Sequence, residues 1–259
     1  MLGLLLLTTL LSACADPYGD AKTADTIEAW DAYLATAPTG TNGIQAKTRL
    51  EALMVARAES SHALADYDSV LTKFPATGKK KAMIEGRANA AFALAEEANT
   101  AEAFTSFLMA NPAADGALKK RAKQLGDVAE FAARLTIAPP VVVEVNLAHD
   151  AAGPKDGWGF SAAVTNNGDV ALEYANIELQ YLGADGKKIK AVAYPVAAEM
   201  GPGRMPIEEA LQKPLAPAET RTWSYETNDV PEGWLEGKQV KLALVGVRAV
   251  PTAVARASK

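Results

Sequence analysis

The chain has 259 residues, of which 22% are charged and 49% are hydrophobic, and it carries a net charge of −5. This composition is typical of a folded protein, with enough length for two domains, and it argues against a disordered chain. The acidic balance argues against nucleic acid as a partner, because nucleic-acid-binding proteins present a basic face. The single cysteine leaves no disulfide within the chain, so apolar packing has to stabilise the fold.

The first 13 residues form one leucine-rich apolar run. A helix needs about 20 apolar residues to cross a bilayer, so the run predicts a signal peptide over residues 1–13 rather than an anchor. It closes on Leu11-Ser12-Ala13-Cys14, which contains the only cysteine. The small side chains of Ser12 and Ala13 fit a peptidase cleft, and the Cys14 thiol is the one side chain here that accepts a lipid as a thioether.

This tetrad resembles the lipobox of bacterial lipoproteins, which a lipidating enzyme and a dedicated signal peptidase read. The resemblance implies cleavage between Ala13 and Cys14, with Cys14 carrying the lipid. Because Ala15 rather than an aspartate follows Cys14, it also implies the outer membrane, with the protein facing the periplasm. Residues 14–22, which contain Pro17 and Gly19, then predict a short polar tether.

Residues 23–135 predict a helical domain, because alanine is abundant and β-branched runs are few. Its prolines are spaced 37 residues apart, at Pro38, Pro75 and Pro112. Eight residues before each proline stands an aromatic residue, at Trp30, Tyr67 and Phe104. Bulky apolar residues follow each aromatic at i+3 and i+4, which predicts an amphipathic helix that stops at the proline. A turn with glycine then leads to a second helix, predicted over residues 44–58, 80–95 and 117–135.

The three helix pairs resemble tetratricopeptide-like solenoids, and more narrowly the repeats of bacterial lipoproteins that work in outer-membrane assembly. The likeness covers residues 23–135. It implies that neighbouring pairs share one core and leave a concave surface for a partner's peptide or helix.

Five acidic residues lie on the first helices of the pairs, away from the apolar stripe. They are Glu28, Asp31, Asp66, Asp68 and Glu102. They predict an acidic groove that contacts a protein partner, with a merely solvated helix face as the alternative. The aromatic residues of the same helices are interpreted as packing residues.

Basic clusters occur near the starts of the second helices, at Lys79-Lys80-Lys81 and Lys119-Lys120-Arg121. Cations gain nothing from the helix dipole at that end. The clusters therefore indicate either a contact with an anionic surface, such as lipid headgroups, or simply a soluble helix start.

At residues 136–140 the chemistry changes, and Pro139-Pro140 predicts a linker. Residues 141–145 are rich in valine and begin a series of strand-like runs. Further runs follow at residues 159–165, 175–182, 188–194, 221–226 and 240–247. Short strands with turn signals between them predict an antiparallel β-sandwich over residues 141–250, followed by a tail at 251–259. The expected fold is therefore α + β and multidomain, with an α-solenoid followed by a sandwich.

Three segments of this half look like the immunoglobulin-like domains of bacterial envelope proteins. They are residues 163–169, with Asn166-Asn167-Gly168-Asp169, the hairpin signal Asp185-Gly186-Lys187 after residues 177–181, and residues 215–220. In that family a leucine, proline, glycine and glutamate turn opens a strand, and here Ala218 stands at the glycine position. Residues 195–214 form an insertion long enough to move or to carry a contact.

The sequence does not indicate a catalytic site or a cofactor. Its two histidines, His62 and His149, lack the neighbours of a Ser-His-Asp assembly. No metal-ligand spacing and no phosphate-binding glycine loop is present. We therefore expect a lipid-anchored adaptor that binds envelope proteins and is not an enzyme. The alternative is carbohydrate recognition, of peptidoglycan or lipopolysaccharide, by the aromatic residues Trp158, Trp223, Trp234 and Tyr225 of the sandwich.

Overall fold

The computed structural model describes residues 16–147, 155–204 and 206–250. Within these residues seven helices come first and seven strands follow, with a short eighth helix between the fifth and sixth strands. This order confirms the predicted α + β class. The chain forms two compact units, one ending at Ala91 and the other beginning at Phe92. The predicted signal peptide, Ala13, Cys14 and the tail at 251–259 lie outside the described residues.

All six helices of the three predicted pairs are present, and the first helix of each pair ends near the proline that was predicted to stop it. The helices are α1 (Pro17–Ala24), α2 (Ile27–Ala35), α3 (Gly40–Ser61), α4 (Leu64–Lys73), α5 (Lys80–Ala98), α6 (Ala101–Ala110), α7 (Gly116–Ala132) and α8 (Glu209–Gln212). The predicted pairs are α2 to α7. The short helices α2, α4 and α6 each end shortly before Pro38, Pro75 or Pro112, because the residue before a proline is disfavoured in the helical conformation.

Helix α1 corrects the predicted polar tether at residues 14–22. The Asp16 carboxylate accepts a hydrogen bond from Gly19 N at 3.0 Å and caps the helix. Pro17 occupies the first helical position, where its missing N–H costs nothing. Ala21 is buried in the core of the first unit. The proline and glycine that suggested a tether therefore belong to a folded helix.

The 37-residue period is present in the backbone as well as in the sequence. Helices α1, α3 and α5 are each followed by a residue in the left-handed conformation, at Asp25 (φ 48°), His62 (φ 53°) and Asn99 (φ 47°). A threonine follows the first and the third of these residues. The Thr26 hydroxyl accepts a hydrogen bond from Ala29 N and the Thr100 hydroxyl accepts one from Ala103 N, each at 3.1 Å, so the two threonines cap α2 and α6. In the repeat, helix α1 therefore corresponds to the second helix of a pair, and it precedes the three predicted pairs.

Aromatic side chains organise the core of the first unit. Trp30 and Tyr67 are buried, as expected for packing residues. The rings of Tyr18, Trp30 and Tyr33 meet edge to face, with centroids 5.5–6.4 Å apart. Gly86 lets α5 lie close to the Tyr67 ring of α4, because a Cβ at position 86 would lie 2.3 Å from that ring.

The strands form two antiparallel sheets. They are β1 (Leu135–Ile137), β2 (Val141–Leu147), β3 (Lys155–Asn166), β4 (Leu172–Leu182), β5 (Lys188–Ala197), β6 (Thr220–Thr227) and β7 (Val240–Ala249). In one sheet β1 and β2 pair with successive parts of β3, and β6 pairs with β3 on its other side. The other sheet has the order β5-β4-β7. Strand β1 was not predicted, and it replaces the end of the helix expected to reach residue 135.

Residues from both sheets meet in one core. The Phe160 ring of β3 contacts the Tyr181 ring of β4 edge to face at 5.6 Å, and Trp234 packs against both. Phe131 of α7 belongs to the same core. The third predicted helix pair, α6 and α7, therefore lies in the second unit together with the strands, and the predicted linker at 136–140 lies within that unit.

Arg221 secures both ends of the predicted insertion at residues 195–214. Its guanidinium donates to Val196 O and Lys213 O at 2.9 Å and to Pro214 O at 3.2 Å. It also forms an ion pair with Glu219 at 2.7 Å, and its side chain is only 11% exposed. The insertion contains a 3-10 turn at Pro202–Arg204 and helix α8, so much of it is ordered.

The turn before β6 adopts the conformation that a glycine would favour. Ala218 has φ 60° and donates its N–H to Asn166 O at 2.8 Å. Burial opposes ionisation of Glu219, but hydrogen bonds from Ala216 N and Arg221 outweigh it and lower the pKa of Glu219. The Asn166 side chain donates to Val170 O and Leu215 O, which ties the asparagine turn to this second turn.

Candidate functional site

The five acidic residues do not assemble into one free acidic groove. Asp31 forms an ion pair with Lys73, Asp66 with Arg57 at 2.9 Å, and Asp68 with Arg87 at 2.5 Å. Glu28 and Glu102 are exposed in the first turns of α2 and α6, where a negative charge favours the helix dipole. Glu102 belongs to the second unit. The acidic-groove interpretation is therefore corrected, because cations of the chain itself neutralise its central members.

The first unit instead contains a cavity of about 400 Å³ that brings charged and aromatic side chains together. Its lining consists of Tyr18, Lys22, Asp25, Trp30, Gln45 and Arg49. We call it the α1–α3 cavity, because most of these residues belong to α1 and α3.

Asp25 is the central group of the α1–α3 cavity. Its carboxylate accepts hydrogen bonds from Arg49 Nε at 2.8 Å, from Arg49 Nη2 at 2.5 Å and from Trp30 Nε1 at 2.9 Å. The Tyr18 hydroxyl donates to Gln45 Oε1 at 2.6 Å and closes one wall. Lys22 is exposed and has no ion-pair partner within residues 16–91.

These contacts fix the charge of the cavity. The hydrogen bond from Arg49, followed by that from Trp30, holds the pKa of Asp25 well below the usual aspartate range. The same hydrogen bond, which Arg49 donates to Asp25, raises the pKa of Arg49. Asp25 and Arg49 are therefore both ionised at neutral pH and balance each other. The remaining charge of the cavity is that of Lys22, so the cavity is suited to an acidic side chain or a terminal carboxylate.

Sequence reasoning missed Lys22 and Asp25, although a signal for Asp25 was present. Asp25, His62 and Asn99 follow the 37-residue period, each five residues before a buried aromatic residue. His62 Nδ1 lies 3.4 Å from Tyr67 Oη, as Asp25 lies beside Trp30. A polar residue that recurs five positions before each buried aromatic residue indicates a side chain that lies at the edge of the aromatic ring.

Two of the four aromatic residues considered for sugar recognition are core residues. Trp223 and Trp234 are 1% and 0% exposed. Their indole N–H groups donate to Tyr194 O and Gln239 O, each at 2.9 Å. An enclosed ring has no free face for stacking on a sugar, so this role is corrected for both residues.

Trp158 and Tyr225 are partly buried, and each contacts other side chains. The Trp158 ring contacts Trp234 edge to face at 5.1 Å, and Lys238 Nζ lies 4.3 Å from the Trp158 ring centroid. Tyr225 packs against Tyr194 with centroids 5.9 Å apart. Lys238 also pairs with Glu144 at 3.2 Å. Trp158 lines a cavity of about 470 Å³ together with Glu144 and Asp156.

The described residues contain one of the two histidines and no cluster of metal ligands. His62 contacts Tyr67, and His149 lies outside the described residues. Across residues 16–147, 155–204 and 206–250, no three His, Cys, Asp or Glu side chains are placed to hold a metal ion. In the same residues no helix is both long enough and apolar enough to cross a membrane.

The three residues of the basic cluster Lys119-Lys120-Arg121 have different surroundings. Lys119 Nζ donates to Pro112 O at 3.1 Å. Arg121 pairs with Glu96 at 2.6 Å and lies over the Phe92 ring, 5.4 Å from its centroid. Lys120 lines a cavity. The cluster is therefore not one uniformly solvated helix start.

Comparison with known proteins gives little further information. No known protein family matches the chain, and no curated protein matches it. A solved structure, described as the X-ray structure of Northeast Structural Genomics Consortium target SoR45, is similar over 50% of this chain and 95% of its own, with 12% identity and a TM-score of 0.25. A likeness at that score does not establish a shared fold.

Proposed function

We propose that this chain is a lipid-anchored adaptor of the bacterial envelope that binds protein partners through its helical repeats. The observation that carries the proposal is the 37-residue spacing of Asp25, His62 and Asn99, which follow the alternate helices α1, α3 and α5 and share the same left-handed conformation. Such a spacing supports a tetratricopeptide-like stack, in which each helix pair completes its core against its neighbours. Repeats of this kind work as binding surfaces, and their function requires no catalytic group.

The proposal extends to the second unit as an immunoglobulin-like sandwich. Its support is the shared core, in which Phe160 of one sheet contacts Tyr181 of the other. The left-handed Ala218 at the position of the family's glycine is a second support. Such a fold serves as a rigid module and does not by itself define an activity.

The α1–α3 cavity is the proposed contact site for a protein partner. It offers the partly exposed ring of Tyr18, which packs on the buried Trp30, beside the cation of Lys22, which has no ion-pair partner among residues 16–91. These groups suit an extended segment that carries an acidic side chain or ends in a carboxylate. Helix α1 begins at Pro17, three residues after Cys14, so a partner bound here would be held close to the lipid anchor.

The anchor is tested by replacing Cys14 with Ser and fractionating the cells. We expect the wild-type protein in the membrane fraction and the Cys14→Ser protein in the soluble fraction, because serine cannot form the thioether. A Cys14→Ser protein that stays with the membranes after a high-salt wash would contradict lipid anchoring.

The adaptor function is tested by purifying the lipidated protein from native membranes and identifying the proteins that come with it. Lys22→Glu reverses the charge of the cavity lysine at an exposed position, and Lys241→Glu on β7 is the matched control. We expect the wild type and Lys241→Glu to retain the same partner and Lys22→Glu to lose it. Capture of no protein by the wild type would contradict the adaptor function, and retention by Lys22→Glu would contradict this contact site.

A further inference from the structure

The second unit contains a cavity of about 380 Å³ between α7 and the edge of the β5-β4-β7 sheet. Helix α7 contributes Lys120, Lys123 and Asp127 to its lining. The sheet contributes Tyr174 of β4 with Gly246 and Arg248 of β7. All of these residues lie in one compact unit.

Irregular strand pairing shapes the sheet side of this cavity. The register between β4 and β7 shifts between Leu172 and Tyr174 and again between Asn176 and Ile177. Each shift leaves one residue unpaired, Glu173 on β4 and Val245 on β7. Bulges of this kind redirect side chains and are common beside functional sites.

Gly246 allows Tyr174 to form a wall of the cavity. A Cβ on Gly246 would lie 2.9 Å from Tyr174 Cε1 and 3.4 Å from Tyr174 Oη. The tyrosine ring therefore lies against the backbone of β7, and a larger residue at position 246 would push it away. Tyr174 is the register partner of Arg248, two residues beyond Gly246 on β7, and both residues line the cavity.

The charge of the cavity lining is positive. Its cations are Lys120, Lys123 and Arg248, against the single carboxylate of Asp127. Lys123 pairs with Asp127 at 2.9 Å, and Arg248 pairs with Glu173 outside the lining. The side chains of Lys123 and Arg248 nevertheless remain 70% and 68% exposed. Lys120 is exposed and has no ion-pair partner in the described part of this unit.

We propose that this cavity binds a phosphate group, carried either by a small soluble molecule or by a lipid headgroup. A phosphate monoester has a charge of about −1.5 to −2 and three acceptor oxygens at neutral pH. Because Asp127 pairs with Lys123 and Glu173 pairs with Arg248, one excess positive charge remains, that of Lys120. The three cationic side chains can each donate to one of the three phosphate oxygens, whereas a carboxylate offers only two oxygens. Arginine presents a planar fork of donors to phosphate, while lysine acts as a mobile point charge.

The site accounts for a sequence feature that the adaptor function leaves unexplained. Within the Lys119-Lys120-Arg121 cluster, Lys119 and Arg121 make contacts of their own. Only Lys120 of the three lines the cavity, where Arg248 joins it from a strand more than 100 residues later in the chain. The proposal does not depend on the α1–α3 cavity or on any protein partner.

Titration with inorganic phosphate tests the site directly. The full chain with Cys14→Ser, which removes the proposed lipid, is titrated by calorimetry and by NMR of the Tyr174 and Gly246 amides, with acetate as a monovalent comparison. We expect saturable binding of phosphate, weaker binding of acetate, and shifts at both amides. Removal of one charged donor by Lys120→Gln or Arg248→Gln should weaken phosphate binding by about tenfold or more.

Lys241→Gln is the matched control, because it removes one charge from β7 outside the cavity. It should change phosphate affinity by less than about twofold. Circular dichroism establishes that the variants are folded, and the amide shifts of the wild type test the site without any substitution. Absence of saturable binding, or an equal loss in Lys241→Gln, would overturn the proposal.

Vesicles distinguish the two sources of phosphate. The same proteins are floated with phosphatidylcholine vesicles that either contain or lack phosphatidic acid. Binding that requires phosphatidic acid, that the double variant Lys120→Gln/Arg248→Gln loses and that Lys241→Gln keeps, supports a lipid headgroup. Phosphate binding without such vesicle binding supports a soluble phosphate compound. If the double variant weakens neither binding, the cavity is not a phosphate site.

Discussion

The Trp30 indole donates its Nε1–H to Asp25 Oδ1 at 2.9 Å, across the junction between α1 and α2. The relationship returns one period later, where His62 Nδ1 lies 3.4 Å from Tyr67 Oη. At the third junction the residues are Asn99 and Phe104, and phenylalanine has no polar ring atom to contact. At the first two junctions the left-handed residue thus places its side chain at the edge of the buried aromatic ring that follows it.

Asp25→Asn should destabilise the first unit at neutral pH and lose that effect in acid. The amide keeps an acceptor for Trp30 but removes the charge that binds Arg49. Because the folded-state pKa of Asp25 is lowered, its stabilising contribution is complete above the unfolded-state pKa of about 3.9. That contribution is then lost as the pH falls toward the folded-state value.

The measurement is urea unfolding of both proteins at a series of pH values, followed by far-ultraviolet circular dichroism of the helices. The gap between wild type and Asp25→Asn should be constant near neutrality and shrink below about pH 4. A gap that stays the same across the acid range would show that the charge of Asp25 does not contribute. Asp20→Asn, at an acidic position of α1 outside the cavity, is the control.

Ala63→Thr should raise the free energy of unfolding by about 1 kcal/mol. Ala63 precedes α4 at the position where Thr26 and Thr100 cap α2 and α6, and it has the extended backbone that a capping residue needs. Of these three equivalent positions, Ala63 has no side chain that can cap its helix. It is exposed, so there is room for a threonine side chain. Thermal unfolding should show the gain, while Thr26→Ala and Thr100→Ala should each lower stability by a similar amount. A neutral or destabilising Ala63→Thr would contradict the repeat alignment.

Tyr181→Phe should stabilise the second unit by about 1–2 kcal/mol. Tyr181 is 0% exposed, and its hydroxyl has no hydrogen-bond partner among the described residues. Its ring packs between Phe160 and Trp234, and phenylalanine would keep these contacts. Tyr194→Phe, at a half-buried ring, should change stability by less than about 0.5 kcal/mol. Equal or lower stability of Tyr181→Phe in urea would contradict the account of this hydroxyl.

The same substitution should change the alkaline limit of stability. Burial, with the nearby Tyr225 and Asp229, raises the pKa of Tyr181. A raised folded-state pKa means that stability is complete below the unfolded tyrosine value of about 10 and falls as the pH rises above it. Tyr181→Phe should therefore lose less stability than the wild type above about pH 10.

Arg221→Lys should lower the free energy of unfolding of the second unit by about 1–3 kcal/mol although it conserves the charge. Lysine cannot reproduce the fork that donates to Val196 O, Lys213 O and Pro214 O. Arg248→Lys is the control, because Arg248 is largely exposed and its ion pair contributes little. Limited proteolysis should cut residues 195–214 faster in Arg221→Lys only. Equal cleavage of both variants would show that Arg221 does not secure this segment.

The sequence predicted the parts of the fold that follow from local pattern. Prolines at a constant period located the helix ends, and β-branched runs located the strands from β2 onward. Helix α1 was missed because Pro17 and Gly19 also occur in loops, and only the Asp16 cap shows that they open a helix. Strand β1 was missed because three residues at the end of a helical pattern carry no signal of their own.

The sites could not be predicted in the same way, because they depend on pairs that are distant in sequence. Lys73 neutralises Asp31 from 42 residues away, and no spacing rule connects them. Trp234 stands among loop-forming residues, yet its ring is buried and its N–H is satisfied by Gln239 O. Local composition indicated a turn there correctly, but it does not say whether a ring in that turn faces the core or the solvent.

Site-specific photo-crosslinking in native membranes tests the adaptor function most directly. A photoreactive amino acid is placed at Gln45, on the wall of the α1–α3 cavity, and in a separate protein at Lys241 as the control. We expect that irradiation joins the Gln45 probe to one envelope protein, that the Lys241 probe does not capture it, and that Lys22→Glu abolishes the product. If the Gln45 probe captures no protein, or Lys22→Glu leaves the product unchanged, the cavity does not bind a partner.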